Sequence, residues 1–87
     1  MITVIALHDV DDVSHWQKSL KRDEFFSAHG MTARTFVSPD GGKRVGVIIE
    51  NVPTLEDLRK ILQGSVAATA MKDDGVHPDT VELFVAS

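Results

Sequence analysis

The sequence predicts an α+β domain in which a four-stranded antiparallel sheet carries its helices on one face. Segments with strand and helix patterns follow one another in the order β-α-β-β-α-β along the 87 residues. The two middle strands flank a Pro-Asp-Gly-Gly turn at residues 39–42, as expected for an antiparallel hairpin. Right-handed crossovers of two β-α-β units give the ferredoxin-like arrangement. Because no linker divides the chain, residues 1–87 are expected to form a single domain.

The first strand is predicted over residues 2–7, which are short and rich in β-branched side chains. Residues of both parities are apolar, so both faces of this strand are expected to be covered, as in the middle of a sheet. Asp9, Asp11 and Asp12 then precede a helical pattern. Aspartates cap helix N-termini well and interact favourably with the positive end of the helix dipole.

The first helical region has one apolar stripe and then a change of phase. Three apolar residues share one helical face: Val13, Trp16 and Leu20. Phe25 and Phe26 do not continue this stripe, so we expect a bend or a new helix start near Asp23. Gly30 is placed to end the helical region, because glycine readily adopts the left-handed conformation of a helix C-terminus.

The second and third strands are predicted over residues 31–38 and 43–51. Between them, Pro39 presets φ for a turn, and the glycines that follow Asp40 accept positive φ. Two strands joined by so short a turn pair as an antiparallel hairpin.

The second helical region is expected to contain two short helices. Thr54 is placed to cap the first of them, which has an apolar stripe. This stripe consists of Leu55, Leu58, Ile61 and Leu62. Gly64 interrupts the pattern, Ser65 is expected to cap the next helix, and Gly75 is expected to end it. The last strand is predicted over residues 80–85.

Composition excludes several functional classes. The chain has no cysteine, which removes disulfides, thiolate metal sites and cysteine nucleophiles. A net charge of -4 and a pI near 5.4 disfavour nucleic-acid binding. No apolar run approaches the ~20 residues that span a bilayer, and the start lacks the basic segment of a secretory leader. We therefore expect a cytoplasmic protein that binds neither nucleic acid nor membrane.

The sheet is expected to have one apolar face that the two helical regions leave uncovered. In the first and third strands, apolar residues of one parity oppose further apolar residues of the other. In a monomer, one apolar face would be exposed to water, as a large patch for so small a protein. The sequence therefore predicts a homodimer that packs sheet to sheet under twofold symmetry. Coverage of this face by loops and the C-terminal tail is the alternative.

Several of these segments resemble the dimeric α/β-barrel superfamily, and in particular its small proteins related to antibiotic-biosynthesis monooxygenases. The resemblance rests on Val10-Asp11-Asp12-Val13 with Trp16, on Gly30-Met31, on the Asp40-Gly41 hairpin, and on Met71-Lys72 before Gly75-Val76. It implies a sheet-to-sheet dimer with a pocket between sheet and helices, and cofactor-free oxygenation of an aromatic or polyketide-like molecule as one activity. It implies no bound cofactor. The chain departs from the haem-degrading members, because no histidine lies in residues 55–74. It also departs from those members whose chemistry relies on tyrosine, because it contains no tyrosine.

Two polar residues are candidates for catalysis. His8, at the predicted end of the first strand and beside acids, could act as a general base near neutral pH. The alternative is a hydrogen-bonded polar residue at a strand end. Arg34 lies in the second strand and could hold a planar anionic group of a ligand. The alternative is an ion pair with Glu50 or Glu82 at an edge strand or dimer interface.

Two aromatic residues are candidates for binding a small hydrophobic ligand. Trp16 could form a flat apolar wall, but packing in the core beside Val13 and Leu20 is the favoured alternative. Phe36 shares the parity of Arg34 and would be part of the same wall. The other histidines form neither an HxH motif nor an i, i+4 pair, so no metal site is predicted.

Two classes of function remain open. The first is a small pocket enzyme in which His8 and Arg34 act on a ligand held by Trp16 and Phe36. The second is a non-catalytic module that binds a small ligand or a protein partner. A closed cavity above ~300 Å³ that contains at least one of the polar groups would favour the first, and a space filled by side chains would count against it.

Overall fold

The computed structural model describes residues 1–87 as one four-stranded sheet with helices packed on one face. The elements are β1 (Ile2–Asp9), α1 (Val13–Lys18), α2 (Lys21–Ala28), β2 (Thr32–Val37), β3 (Arg44–Val52), α3 (Leu55–Leu62), α4 (Ser65–Asp73), a 3₁₀ turn (Pro78–Thr80) and β4 (Glu82–Val85). The sheet is antiparallel throughout, in the order β2-β3-β1-β4. This order confirms the predicted ferredoxin-like α+β fold. No helix combines the length and the apolar character that crossing a membrane requires.

β1 lies in the middle of the sheet, between β3 and β4, as its two apolar faces predict. The predicted hairpin of β2 and β3 is confirmed, with Phe36 paired to Gly46. Near the end of β3 the pairing with β1 shifts register between Ile2 and Val4. Asn51 has a φ of 63° at this irregularity, a conformation that asparagine tolerates better than most residues.

The helix ends largely follow the predicted signals. The Oγ1 atom of Thr54 accepts a hydrogen bond from the Asp57 N–H at 3.0 Å, which caps α3. Gly75 has a φ of 74°, and beside it the Val76 N–H donates to the carbonyl of Met71 at 2.9 Å. This pattern closes the C-terminus of α4. Gly30 ends α2 in the same way.

Several predicted boundaries are wrong. The helical region breaks at Ser19, whose extended backbone ends α1, and not near Asp23. The cap of α4 is Gly64, because Ser65 is already helical. β4 begins at Glu82, because the preceding residues form the 3₁₀ turn.

The register assigns the residues of each strand to one of two faces. The buried face packs against the helices and carries Val4, Ala6, His8, Val45, Val47 and Ile49. Across the opposite face, one row of paired residues runs through all four strands: Arg34, Ile48, Ile5 and Phe84. No helix covers this row, and Phe84 is 51% exposed. We call this surface the open face.

Candidate functional site

A cavity of about 370 Å³ lies between the buried face of the sheet and the helices. Its lining is mainly apolar and comes from β1, β3, β4 and all four helices. The apolar lining includes Ala6, Trp16, Phe25, Phe26, Val47, Ile49, Leu62, Ala67, Ala70, Met71, Val76, Val81 and Leu83. Five polar residues join them, namely His8, Arg22, Arg59, Gln63 and Asp74. The volume lies within the range of small-molecule sites, about 300–1,000 Å³.

Trp16 organises the polar side of the cavity. The indole is 1% exposed and meets the imidazole of His8 edge to face, with ring centroids 5.6 Å apart. The guanidinium carbon of Arg22 lies 4.0 Å from the centroid of the same indole ring. The Nη2 atom of Arg22 also donates to the carbonyl oxygen of Trp16 at 2.8 Å. Trp16 therefore holds a cation and an imidazole beside one apolar space.

His8 is a buried imidazole with hydrogen-bonding capacity to spare. It is 7% exposed, because β1 continues through Asp9 and the His8 side chain faces the helices. The predicted strand-end position is therefore wrong. Burial lowers the pKa of His8 below 6.5, and the charge of Arg22 acts in the same direction, while the backbone of Asp9 opposes both. His8 is thus neutral at pH 7, and its Nδ1 atom has no hydrogen-bond partner.

Arg22 supplies the positive charge of the cavity. Burial lowers its pKa, and the charges of Asp74 and Asp23 oppose this change. The guanidinium remains protonated in proteins at neutral pH. Its Nε atom is buried and has no acceptor, so Arg22 retains one unused donor.

The cavity reaches the surface beside α3. Arg59 and Gln63 line it, and both residues are exposed. Pro78, also exposed, lies at its edge. A ligand could therefore enter between α3 and the 3₁₀ turn without the core opening.

The structure separates the four predicted site residues into two pairs. His8 and Trp16 touch each other and line the cavity. Arg34 and Phe36 lie in the edge strand β2 on the open face, where the guanidinium carbon is 5.2 Å from the Phe36 ring centroid. Arg34 is exposed in the single chain. Neither predicted ion pair of Arg34 forms within the chain, and Glu82 pairs with Arg44 instead.

Two functional candidates in the cavity were missed by the sequence reasoning, Arg22 and Asp74. Arg22 gave no signal, because the helix break at Ser19 sets its direction relative to Trp16. For Asp74, the sequence did carry a signal. An acid at the C-terminal end of a helix opposes the helix dipole, so its presence beside Gly75 calls for another explanation.

The remaining histidines lie around the cavity and not in it. The Nε2 atom of His15 donates to the carbonyl oxygen of Asp73 at 2.8 Å. Lys21 pairs with the carboxylate of the same residue, so α1 and α2 are both tied to the end of α4. His77 pairs with Asp11, and this partner raises the pKa of His77 above 6.5.

The two perturbed histidines are expected to titrate on opposite sides of 6.5 when followed by NMR, His8 below and His77 above. As pH falls below 6.5 the unfolded chain takes up the His8 proton first, so this residue makes acidification destabilising. The His77 ion pair contributes its stability below 6.5 and loses it as pH rises through the raised pKa. When the pH is lowered from about 7.5 to 5.5, the range in which histidines titrate, the free energy of unfolding should therefore fall less for His8→Gln than for the unaltered chain. A His8 midpoint above 6.5 would contradict the buried, neutral imidazole.

No family model matches the sequence, and no curated protein matches it either. The resemblance to the dimeric α/β-barrel superfamily therefore rests on element order and on the residues at element ends. The topology agrees with it at the level of a ferredoxin-like α+β fold. The dimer and the oxygenase activity stay predictions.

Proposed function

We propose that this chain binds a small aromatic molecule in the cavity and oxygenates it without a bound cofactor, as the monooxygenase-like resemblance suggests. The observation that carries the proposal is the cavity itself. The cavity opens to the surface beside α3, so it is not fully closed, but a small molecule can enter it. Its volume of about 370 Å³ lies within the range of small-molecule sites, and the buried imidazole of His8 lines it.

The cavity offers the groups that such a reaction needs. One of the two hydrogens of an activated ring CH2 group passes as a proton to neutral His8, and the carbanion gives its electron pair to molecular oxygen to form a peroxide anion. The peroxide takes the proton back from His8 to become a hydroperoxide. Loss of water, which carries off the second hydrogen of that carbon, leaves a carbonyl there. Arg22 stabilises the negative charge that develops on the ring oxygen, and the apolar walls exclude solvent. His8 would be the catalytic base, and Trp16 part of the wall.

A homodimer is part of the same proposal. Ile5, Ile48 and Phe84 form an apolar row on the open face, and no helix of the chain covers it. A second copy under twofold symmetry would bury this row without any added element. A sheet-to-sheet interface would also place Arg34 and Phe36 at or near the contact, which gives this pair a role outside the cavity.

Non-catalytic ligand binding is the second candidate. It is favoured by the separation of His8 from Arg34, since only one of the two predicted catalytic groups faces the cavity. A binding module needs the aromatic walls and a few polar groups, but it does not need a base. Oxygen uptake distinguishes the two candidates.

Binding can be followed with Trp16, the only tryptophan of the chain. We expect polycyclic quinols or quinones to quench its fluorescence and to raise the melting midpoint. At a ligand concentration of 100 times Kd, binding should raise the free energy of unfolding by about 2.7 kcal/mol. Oxygen consumption with a quinol would support the enzyme, and binding without it would support the module.

A matched pair of variants tests whether the cavity is the site. Ala67 is buried and lines the cavity, whereas Ala68 is exposed on the same helix. Ala67→Leu should weaken quenching, because the larger side chain occupies the space, and Ala68→Leu should leave it unchanged. Absence of any binding by the unaltered chain, or equal effects of the two variants, would count against the cavity.

A further inference from the structure

Asp74 is a buried residue whose carboxylate has no hydrogen-bond partner within the chain. It lines the cavity and is 6% exposed. Its backbone is fixed at the end of α4, where the N–H donates to the carbonyl oxygen of Ala70 at 3.0 Å. The side chain takes part in none of the four ion pairs of the chain, although its neighbour Asp73 forms one of them with Lys21. It also accepts none of the side-chain hydrogen bonds.

The fully buried side-chain atoms without a partner are His8 Nδ1 and Arg22 Nε, so the oxygens of Asp74 are accessible and not sealed in the core. Because Asp74 lines the cavity, a molecule bound there can donate to them. Within the chain, Arg22 is the candidate donor, and its charge interacts with that of Asp74. However, Nη1 and Nη2 of Arg22 both donate to the carbonyl oxygen of Trp16, at 3.3 and 2.8 Å. Neither of these hydrogen bonds goes to Asp74, so its carboxylate remains available to a molecule in the cavity.

We infer that Asp74 sets the specificity of the cavity by accepting a hydrogen bond from a neutral hydroxyl group of the ligand. This inference rests on the proposed function, because it requires that a small molecule binds in the cavity. Arg22 beside Trp16 and Arg59 at the opening make the polar lining positive despite Asp74, which disfavours a cationic donor. A hydroxyl group can also accept from the unused Nε–H of Arg22. Asp74 is then a positioning residue that orients the ligand ring against Trp16.

Two probes of similar shape isolate this hydrogen bond. 1-Naphthol carries the donor, and 1-methoxynaphthalene lacks it. Calorimetric titration of the unaltered chain should give a Kd about tenfold or more lower for 1-naphthol, since hydrogen bonds to charged groups are the strong ones. (1-Naphthylmethyl)ammonium should bind more weakly than 1-naphthol because of the two arginines.

Adjacent aspartates provide the matched variants. Asp74→Leu should reduce the preference for 1-naphthol to about unity, because no acceptor remains. Asp73→Leu removes the same charge from an exposed position and should leave the preference intact. Asp74→Asn keeps the shape of the side chain and should reduce the preference about threefold or more, which covers the case in which the leucine variant does not fold.

The outcomes separate the inference from the proposal beneath it. Equal affinity for the two probes, or a preference that survives both Asp74 substitutions, overturns the role of Asp74 and leaves the cavity as a binding site. If the ammonium probe binds more tightly than 1-naphthol, the inference that the ligand donates from a neutral hydroxyl group is wrong. If none of the probes binds the unaltered chain, the proposed function fails and the inference fails with it.

Discussion

Trp16→Ala is expected to lower the free energy of unfolding by about 3–5 kcal/mol, as large aromatic truncations in cores do. The indole is almost fully buried, and both His8 and Arg22 pack against it. Its removal would enlarge an existing cavity of about 370 Å³ and leave the Arg22 guanidinium without its aromatic neighbour. A domain of this size has a total free energy of unfolding of about 4–13 kcal/mol, so the variant should be marginally folded.

Denaturant unfolding followed by far-ultraviolet circular dichroism measures this loss, since the variant has no tryptophan to report fluorescence. Leu20→Ala is the matched control. Leu20 shares the predicted stripe with Trp16, but it lies after the end of α1 and is 68% exposed. Its truncation should change stability by no more than about 0.5 kcal/mol. Similar losses for the two variants would show that the stripe, and not the break at Ser19, describes the packing.

Those features that depend on neighbours in sequence were predictable. The cap at Thr54, the glycine terminations at Gly30 and Gly75 and the β2–β3 hairpin each use a local backbone rule, and the structure confirms them. Element order then restricts the topology to few choices, because crossovers are short and right-handed. The sheet order followed from these two levels alone.

The cavity was only half predictable for a geometric reason. His8 and Trp16 lie close in sequence, and the helix that follows β1 brings them together. Asp74 reaches the same space from the other end of the chain, and Arg22 reaches it across a helix break that periodicity placed too late. The side of β2 that carries Arg34 follows from its register with β3, which composition does not reveal. The site could therefore be predicted only in part, because residues distant in sequence form it, whereas the fold could be predicted without knowing which distant residues meet.

Phe84→Asp is expected to dissociate the proposed homodimer. Phe84 lies beside Ile5 at the end of the open row, and it is half-exposed in the single chain. In a sheet-to-sheet dimer the substitution would bury an uncompensated charge twice, once in each copy. Truncation of a hot-spot aromatic residue at an interface costs at least about 2 kcal/mol, and a loss of that size corresponds to a dissociation constant about 30-fold higher. The fold of each chain should survive, because β4 is an edge strand and the position faces water.

Light scattering and melting midpoints at several concentrations test this expectation. The unaltered chain should have the mass of a dimer at micromolar concentration, with a midpoint that rises with concentration because folding and association are coupled. Phe84→Asp should have the mass of a monomer and a constant midpoint. Val66→Asp is the control, since Val66 is an exposed apolar residue on α4, away from the sheet. An unaltered chain that is monomeric, or a Phe84→Asp variant that remains dimeric, would mean that the open face does not join two copies.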